Sequence, residues 1–451
     1  MTRSLRRDLY AVLAAALLIV AAVVIGRRIQ HDHHSLFVNW PPLFAHWEPH
    51  VGPGTPAALL VAVLVVAYGP ALAARLPWRA LLAAAWGACL AWTWSLALVD
   101  GWQRGVAGRL TATNEYLRVI DRFHDIPATL RDFTHHIVSA SPAPWPAHIA
   151  GHPPAATVTF VLLDRIGLRG GGWAGAWCIT VGATACVAVL TALRALTGEA
   201  LARRAAPFLV LAPAAVWVGA SADGYFAAVA SWSVALLALA VTGNTGAGPR
   251  AAAAFGSGLL FGLTCYLSYG LTLFALIGAG VVALGRIPAG TLLRGAPFLI
   301  AGFAVVPLLF TAAGFDWWEA YRLLVTRYYE GVGGIRPYGY WVWANLACTV
   351  AVVGLATAGG LRRAAAALTG VRRPPAAGVP ESRLALLVLC ALLALLAADL
   401  SGMSKAETER IWLPFAMWLL PACALLDRPQ GWLAAQAALA LLINHLLLTG
   451  W

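Results

Sequence analysis

Long apolar runs recur from one end of this 451-residue chain to the other, and no other feature constrains its fold as strongly. A bilayer core of about 30 Å takes roughly twenty helical residues to cross. Inside it, each helix must satisfy its own backbone hydrogen bonds. With 61% hydrophobic and 11% charged residues, the chain reads as an all-α, polytopic membrane protein. The runs predict thirteen spans, at 8–27, 55–75, 80–98, 173–193, 206–220, 225–241, 252–267, 268–284, 294–313, 341–360, 384–400, 411–426 and 431–449. The first, Leu9 to Ile25, follows Arg3, Arg6 and Arg7 and lacks a small-residue cleavage site, so it is expected to be a retained helix.

Placing the N-terminus in the cytoplasm puts the short basic loops inside, as charge bias requires. These carry Arg75 and Arg79; Arg194, Arg203 and Arg204; Arg250; Arg286 and Arg294; Arg362, Arg363, Arg372, Arg373 and Arg383; and Arg428. Arg27 and Arg28 are exceptions at the outer end of the first span. The long polar segments 28–54, 99–172, 314–340 and 401–410 then all face outward, and ten of the eleven histidines lie in them. Any chemistry is therefore expected on the extracytoplasmic side of the plasma membrane. The net charge of +12 does not imply nucleic acid, because no basic patch is interleaved with aromatics. Nothing resembles a nucleotide-binding loop. The seven cysteines all lie in apolar runs, which argues against a disulfide framework or a cysteine metal site. One lysine, Lys405, stands against thirty arginines, and with the alanine content this suggests a GC-rich genome such as an actinobacterium's.

The segment 99–172 is too long to be an idle connection. Two flat interfacial helices can be read in it, over 114–123 and 125–138. In the second, Ile126, Leu130, Phe133 and Ile137 form one stripe behind the N-cap candidate Asp125. The stretch "PAHIAGHPPAATVTFVLLDRIGL" follows. Only nine of its residues, Ala155 to Leu163, are free of charge and proline, which is a rise of roughly 13 Å. It cannot span. Pro153 and Pro154 should open a short third helix and Gly167 end it.

These residues resemble a known family. A carboxylate, Asp100, at the outer end of an early helix, two flat helices, and then "GHPP" opening a short helix is the first-loop layout of the GT-C membrane glycosyltransferases. The likeness is greatest to the branch with protein O-mannosyltransferases and lipid A aminoarabinose transferases. In "ETERIWLPFAMWLLPACALL", Arg410, Trp412, Leu413 and Pro414 are similar to that branch's late Arg-aromatic-Leu-Pro motif. The resemblance covers about residues 80–426, a catalytic core between an N-terminal unit (1–79) and a final helix (427–451). Three features depart from the pattern: Asp100 is followed by Gly101 rather than a second acid, two helices precede it, and no soluble domain follows.

The resemblance implies inverting transfer of a sugar from a polyprenyl-phosphate donor to a cell-envelope glycan, lipid or protein. Asp100 would be the general base; otherwise it is a solvated helix-end residue. Asp223 would be a second acid, or else the N-cap of its helix. Arg410 and Lys405 would bind the lipid phosphate, or else pair with Glu407 or with Glu409, itself a substrate-binding candidate. In the aromatic segment 314–340, Arg322, Arg327, Arg336 and Tyr338 would meet sugar and phosphate, or else form an interfacial belt. The glycines of "GVGG" suggest a mobile loop there. His152 would bond a phosphate or a sugar hydroxyl, or else serve the local backbone. A divalent cation is possible: "HDHH" at 31–34, with His46 and His50, suggests a metal site, but the spacing 31/33/34 is not a good ligand set on one helix face, and a surface cluster is the other reading. Two other classes compete: a transporter or flippase for a lipid-linked sugar, which would carry mid-membrane charge and inverted repeats, and a non-catalytic assembly scaffold. A tail groove is expected beside the ninth to twelfth spans, and Asp100, His152, Asp223 and Arg410 are expected to share one cavity.

Overall fold

The computed structural model describes residues 3–243, 246–369 and 380–450. Arg372 and Arg373, expected on the basic side, lie outside the described residues. The helices are α1 (Arg3–His33), α2 (Thr55–Arg75), α3 (Trp78–Ala97), α4 (Ile126–Asp132), α5 (Ala147–Gly151), α6 (Ala155–Arg165), α7 (Gly171–Gly182), α8 (Ala185–Thr197), α9 (Glu199–Val210), α10 (Ala215–Val218) and α11 (Ala222–Thr242). They continue with α12 (Ala247–Leu267), α13 (Phe274–Ala283), α14 (Ala289–Ala312), α15 (Trp317–Glu330), α16 (Val332–Ile335), α17 (Tyr338–Val353), α18 (Leu355–Thr369), α19 (Pro380–Leu400), α20 (Thr408–Ile411), α21 (Leu413–Ala416) and α22 (Pro429–Leu446). Two three-residue strands, β1 (Ala45–Trp47) and β2 (Leu447–Thr449), pair antiparallel. The architecture is therefore almost, but not wholly, helical.

Among the described residues, eight helices are long and apolar enough to cross a membrane, or nine if the bent pair α17–α18 is one span. The expected thirteen is not reached by length and apolarity, and the reasons are local. The run at 206–220 is broken between α9 and α10, and those at 268–284 and 411–426 yield only short apolar helices. The run at 431–449 carries Gln436 and Asn444, both buried against neighbouring carbonyls. The α17–α18 pair bends by 105° at Gly354, whose φ is +82°. The Gln436 amide fills the space a Cβ would need there and donates to the Val353 carbonyl at 2.8 Å, so a side chain inserted at the break marks the kink.

Side-chain size decides which helices are central. In α11, small residues surround the axis, and 83% of its apolar window is buried against α7, α8, α12 and α13; only 11% of the α14 window is buried. Helices α12 and α14 still pack backbone to backbone, because Gly258 faces the Leu299 carbonyl and Gly302 that of Phe255. The start of α1 is held by Asp8, fully buried, which accepts from Arg362 at 2.6 Å and Arg363 at 2.8 Å on α18.

The 98–170 segment forms a compact platform. Helix α3 tightens into a 3-10 turn, Leu98–Asp100, and stops at Gly101 with φ +79°. The first expected flat helix is a 3-10 turn, Tyr116–Phe123; the second is α4 followed by a 3-10 turn, Phe133–His136. Asp125 caps α4 by accepting from the Ala128 N–H at 3.0 Å. Helix α6 follows Pro153 and Pro154, ends at Arg165 before Gly167 (φ +92°), and is 11 residues long, too short to span. Most of the 314–340 segment is helical, as α15 and α16. Its glycines have packing duties, since the Tyr328 ring lies where a Cβ on Gly333 would go.

Candidate functional site

Asp223 and Arg410 meet although 187 positions separate them. Ser221 is the N-cap of α11, accepting from the Asp223 N–H at 3.1 Å. Asp223 therefore sits in the first turn with its carboxylate free of capping duty. Arg410 comes from α20, whose entry bends sharply through Ala406 (φ +72°) and Glu407 (φ +61°). Two consecutive non-glycine residues in the left-handed region cost of order 1–2 kcal/mol each. Polar contacts hold the bend: Asn345 donates to the Ser404 carbonyl at 2.7 Å, Arg336 to that of Lys405 at 2.7 Å, and Lys405 to that of Gly333 at 2.8 Å. Arg410 Nη1 then donates to Asp223 Oδ2 at 2.6 Å, with Arg410 5% and Asp223 3% exposed. Burial works against the guanidinium charge, but Asp223, Glu407 and Glu115 more than offset this and raise the Arg410 pKa.

The second Arg410 nitrogen reaches the platform. Arg410 Nη2 lies 3.0 Å from His148 Nε2, and His148 Nδ1 lies 2.8 Å from Glu115 Oε1. Arginine cannot accept a hydrogen bond, so His148 Nε2 is the acceptor and Nδ1 carries the hydrogen given to Glu115. His152, one helical turn on, donates from Nδ1 to the Leu267 carbonyl at 3.0 Å and stands edge-on to Tyr116 at 6.0 Å. Its Nε2 is left as an acceptor. Burial pulls the His152 pKa down to about 4, against the opposing pull of Asp223.

That shift makes a stability prediction. Unfolded, His152 takes up a proton near pH 6.5; folded, it does so only near 4. Its contribution is complete above pH 6.5 and is lost as pH falls toward 4, by about 3 kcal/mol in all. Thermal unfolding in detergent between pH 4 and 7 should show this loss, and His152→Gln should flatten the curve.

Asp100 lies on the other wall. His50 Nε2 contacts its Oδ1 at 2.7 Å, and Arg109 Nη2 donates to its Oδ2 at 2.9 Å. His50 Nδ1 faces the Glu48 carbonyl at 2.6 Å. Arg109 Nη1 donates to the Thr449 carbonyl at 3.0 Å. Between the two walls is a cleft lined by Arg109, Glu115, Tyr116, residues 220–223, Arg410 and Gly450, with about 10 Å³ of free space, roughly one water. Two buried donors there, Tyr116 Oη and Arg109 Nε, have no hydrogen-bond partner among the described residues. Burial, then Asp223 and Glu115, hold the Tyr116 phenol well above its ordinary pKa. Ala220 lines the cleft in the left-handed region, φ +56°.

Of the expected site residues, Asp223 and Arg410 line the cleft. His152 is buried within reach of both their charges, and Asp100 is joined to the cleft through Arg109. The others stand apart from it. Glu409 is buried and accepts from the Phe44 N–H at 2.9 Å and from Cys348 at 3.3 Å; burial raises its pKa. Lys405 and Arg336 bond the backbone as described. Arg327 donates to the Ile137 carbonyl at 2.6 Å, tying α15 to the platform. Tyr338 donates to the Leu400 carbonyl at 3.2 Å, and Arg322 is exposed on α15. Sequence reasoning passed over Arg109, Glu115, Tyr116 and His148, and took His50 only as part of a possible metal cluster. His148 was within reach, since it lies one turn before His152 in the quoted stretch. Among the described residues no group of three or more His, Cys, Asp or Glu side chains could hold a metal ion.

An apolar cavity of about 380 Å³ lies between α11, α12, α13 and α14. It is beside the sixth to ninth expected spans rather than the ninth to twelfth. Its wall residue Phe274 packs on Phe415 at 5.1 Å, five residues past Arg410.

No protein-family profile and no curated protein matches the chain. Solved structures do. ArnT from Cupriavidus metallidurans bound to undecaprenyl phosphate is 16% identical, with a TM-score of 0.46 over 75% of this chain and 59% of that one. The apo Archaeoglobus fulgidus oligosaccharyltransferase is 14% identical, with a TM-score of 0.45 over 82% and 50%. The S. cerevisiae protein O-mannosyltransferase Pmt1–Pmt2 complex bound to the sugar donor is 12% identical, with a TM-score of 0.36 over 63% and 38%. The chain thus spans about three-fifths of the ArnT chain's length and less of the other two.

Proposed function

We propose that this protein is a membrane glycosyltransferase that moves a sugar, with inversion, from a polyprenyl-phosphate donor to a cell-envelope glycan, lipid or protein acceptor. The observation that carries this is the cleft itself. Two guanidiniums, two carboxylates and a partnerless phenol gather from segments over three hundred residues apart. Inert helix ends have no physical reason to bury such groups together, since each buried charge costs desolvation.

In this reading the acceptor hydroxyl loses its proton to Asp100 as its oxygen bonds the anomeric carbon. The carbon–oxygen bond to phosphate breaks, and polyprenyl phosphate leaves with the electron pair. Arg410 stabilises that leaving anion, a phosphate oxygen replacing its long 3.4 Å contact to Glu407. Asp223 orients Arg410. His152 Nε2, an acceptor, suits a sugar hydroxyl rather than a phosphate. Lys405, Arg336 and Glu409 act by holding the 401–410 turn. Glu115 is a second candidate base, because it lines the cleft directly whereas Asp100 reaches it through Arg109. The N-terminus would be cytoplasmic and the cleft outward, following the arginine distribution.

The test is transfer in proteoliposomes. Purified protein given a polyprenyl-phosphate donor with a labelled sugar, and cell-envelope acceptor, should release polyprenyl phosphate; Asp223→Asn should release at least about 10-fold less. No release above the variant with any such donor would sink the reading. The cavity between α11 and α14 is the proposed seat of the isoprenoid tail. Ala275→Trp, which fills its wall, should weaken binding of a long polyprenyl phosphate about 10-fold, from lost apolar burial, and leave a short prenyl phosphate unaffected. Equal weakening of both would place the tail elsewhere.

A further inference from the structure

The cleft is closed on one side by backbone that belongs to no helix. Gly450 lines it, directly after β2, and donates to the Phe44 carbonyl at 3.1 Å. The free space, about 10 Å³, is far below the roughly 300–1,000 Å³ of ordinary ligand pockets. Something must move before a ligand enters. The other walls are helices and turns held by the ion pairs described above. This wall is a pair of three-residue strands, joined near Gly450, Glu48 and His50 by backbone bonds of 2.8–3.1 Å. A two-stranded ribbon of this length is marginal by itself; here it is kept in place by the burial of Ala45, Leu447 and Thr449 and by the Phe44 N–H bond to Glu409. The strand also occupies a guanidinium: Thr449 offers a neutral carbonyl to Arg109, whose Nε is buried with no partner among the described residues. An anionic oxygen would make a stronger bond there.

We propose that the β1–β2 pair is the lid of the cleft, and that Arg109 is a ligand-binding residue whose place for an anionic oxygen is held by the Thr449 carbonyl until the lid opens. The lid is argued from the geometry alone; that the oxygen belongs to a polyprenyl phosphate rests on the glycosyltransfer reading.

The register supplies the lock. Ala45 and Thr449 are Cα partners, and the Gly450 to Phe44 bond flanks them, so they form a non-hydrogen-bonded pair. Such pairs have Cα atoms about 4.5 Å apart, within disulfide range. In full-length protein carrying Ala45→Cys and Thr449→Cys, a reporter Ala222→Cys in the cleft would be labelled with a charged, membrane-impermeant methanethiosulfonate. Oxidation should slow labelling at least 10-fold, and dithiothreitol should restore it. The reduced protein is its own control for folding. Trp47→Cys with Leu447→Cys, the other such pair, gives a second lock. Equal labelling rates in locked and unlocked protein would overturn the lid. Binding of polyprenyl phosphate to the same protein without the reporter should also fall at least 10-fold on locking. Gated labelling with binding insensitive to the lock would overturn the Arg109 assignment. Gated labelling with no polyprenyl phosphate binding in either redox state would leave the lid standing and sink the glycosyltransfer reading.

Discussion

Arg410→Ala should destabilise the protein by about 3–5 kcal/mol, the cost of removing one partner from a buried pair. Asp223 is 3% exposed and accepts from Arg410 at 2.6 Å. With the guanidinium gone, the Ser221 hydroxyl, at 3.4 Å, would be its remaining side-chain hydrogen bond among the described residues. Arg410→Lys should fall between, because one ammonium cannot span Asp223 and His148 as the planar fork does. The double variant Asp223→Asn with Arg410→Gln should recover much of the loss, since no buried charge is then left alone. Thermal unfolding in detergent of the wild type, Asp223→Asn, Arg410→Gln and their double variant forms a double-mutant cycle. Additive losses would show that the pair does not hold the site. Polyprenyl phosphate binding should be lost in Arg410→Ala, in Arg410→Gln and in the stable double variant. Binding that returned with stability would mean Arg410 shapes the site without touching the ligand.

The broad fold was legible because length and apolarity leave so few solutions in a bilayer. Local signals also told true: Asp125 caps α4, the prolines open α6, and Gly167 ends it. The number of spans was less legible. Apolar runs with internal breaks, at 206–220 and 411–426, look like spans to a hydropathy reading but fold as short or broken helices. The site was half legible. Asp223 and Arg410 stood out as charges at the ends of apolar runs. Glu409, one residue from Arg410, faces Phe44 and Cys348 rather than the cleft, because neighbours on a helix point about 100° apart. Glu115 and Arg109 lie in turns with no period to read. The β1–β2 pair joins residues some four hundred positions apart through three-residue strands, too short for any alternation to show.

The sharpest division of roles lies between Asp100 and Glu115. Asp100→Asn should cut transfer by about 10²–10⁴-fold, the usual worth of a positioned general base. Donor binding should stay within about 3-fold, because the base serves the acceptor rather than the donor. The substitution is nearly isosteric, but its amide must turn a donor toward either His50 or Arg109, both of which donate to Asp100 now. Some loss of order is built in, so a second measurement is needed. Glu115→Gln provides it. A glutamine oxygen can still accept from His148 Nδ1, the contact of 2.8 Å that orients His148 beneath Arg410. If Glu115 only orients His148, transfer should fall by about 10-fold or less. If Glu115 is the base, the two variants exchange magnitudes, and Asp100 becomes the residue that positions Arg109. Equal losses in both, with donor binding intact, would mean that the two carboxylates act as one unit across the cleft, since effects within such a unit do not add.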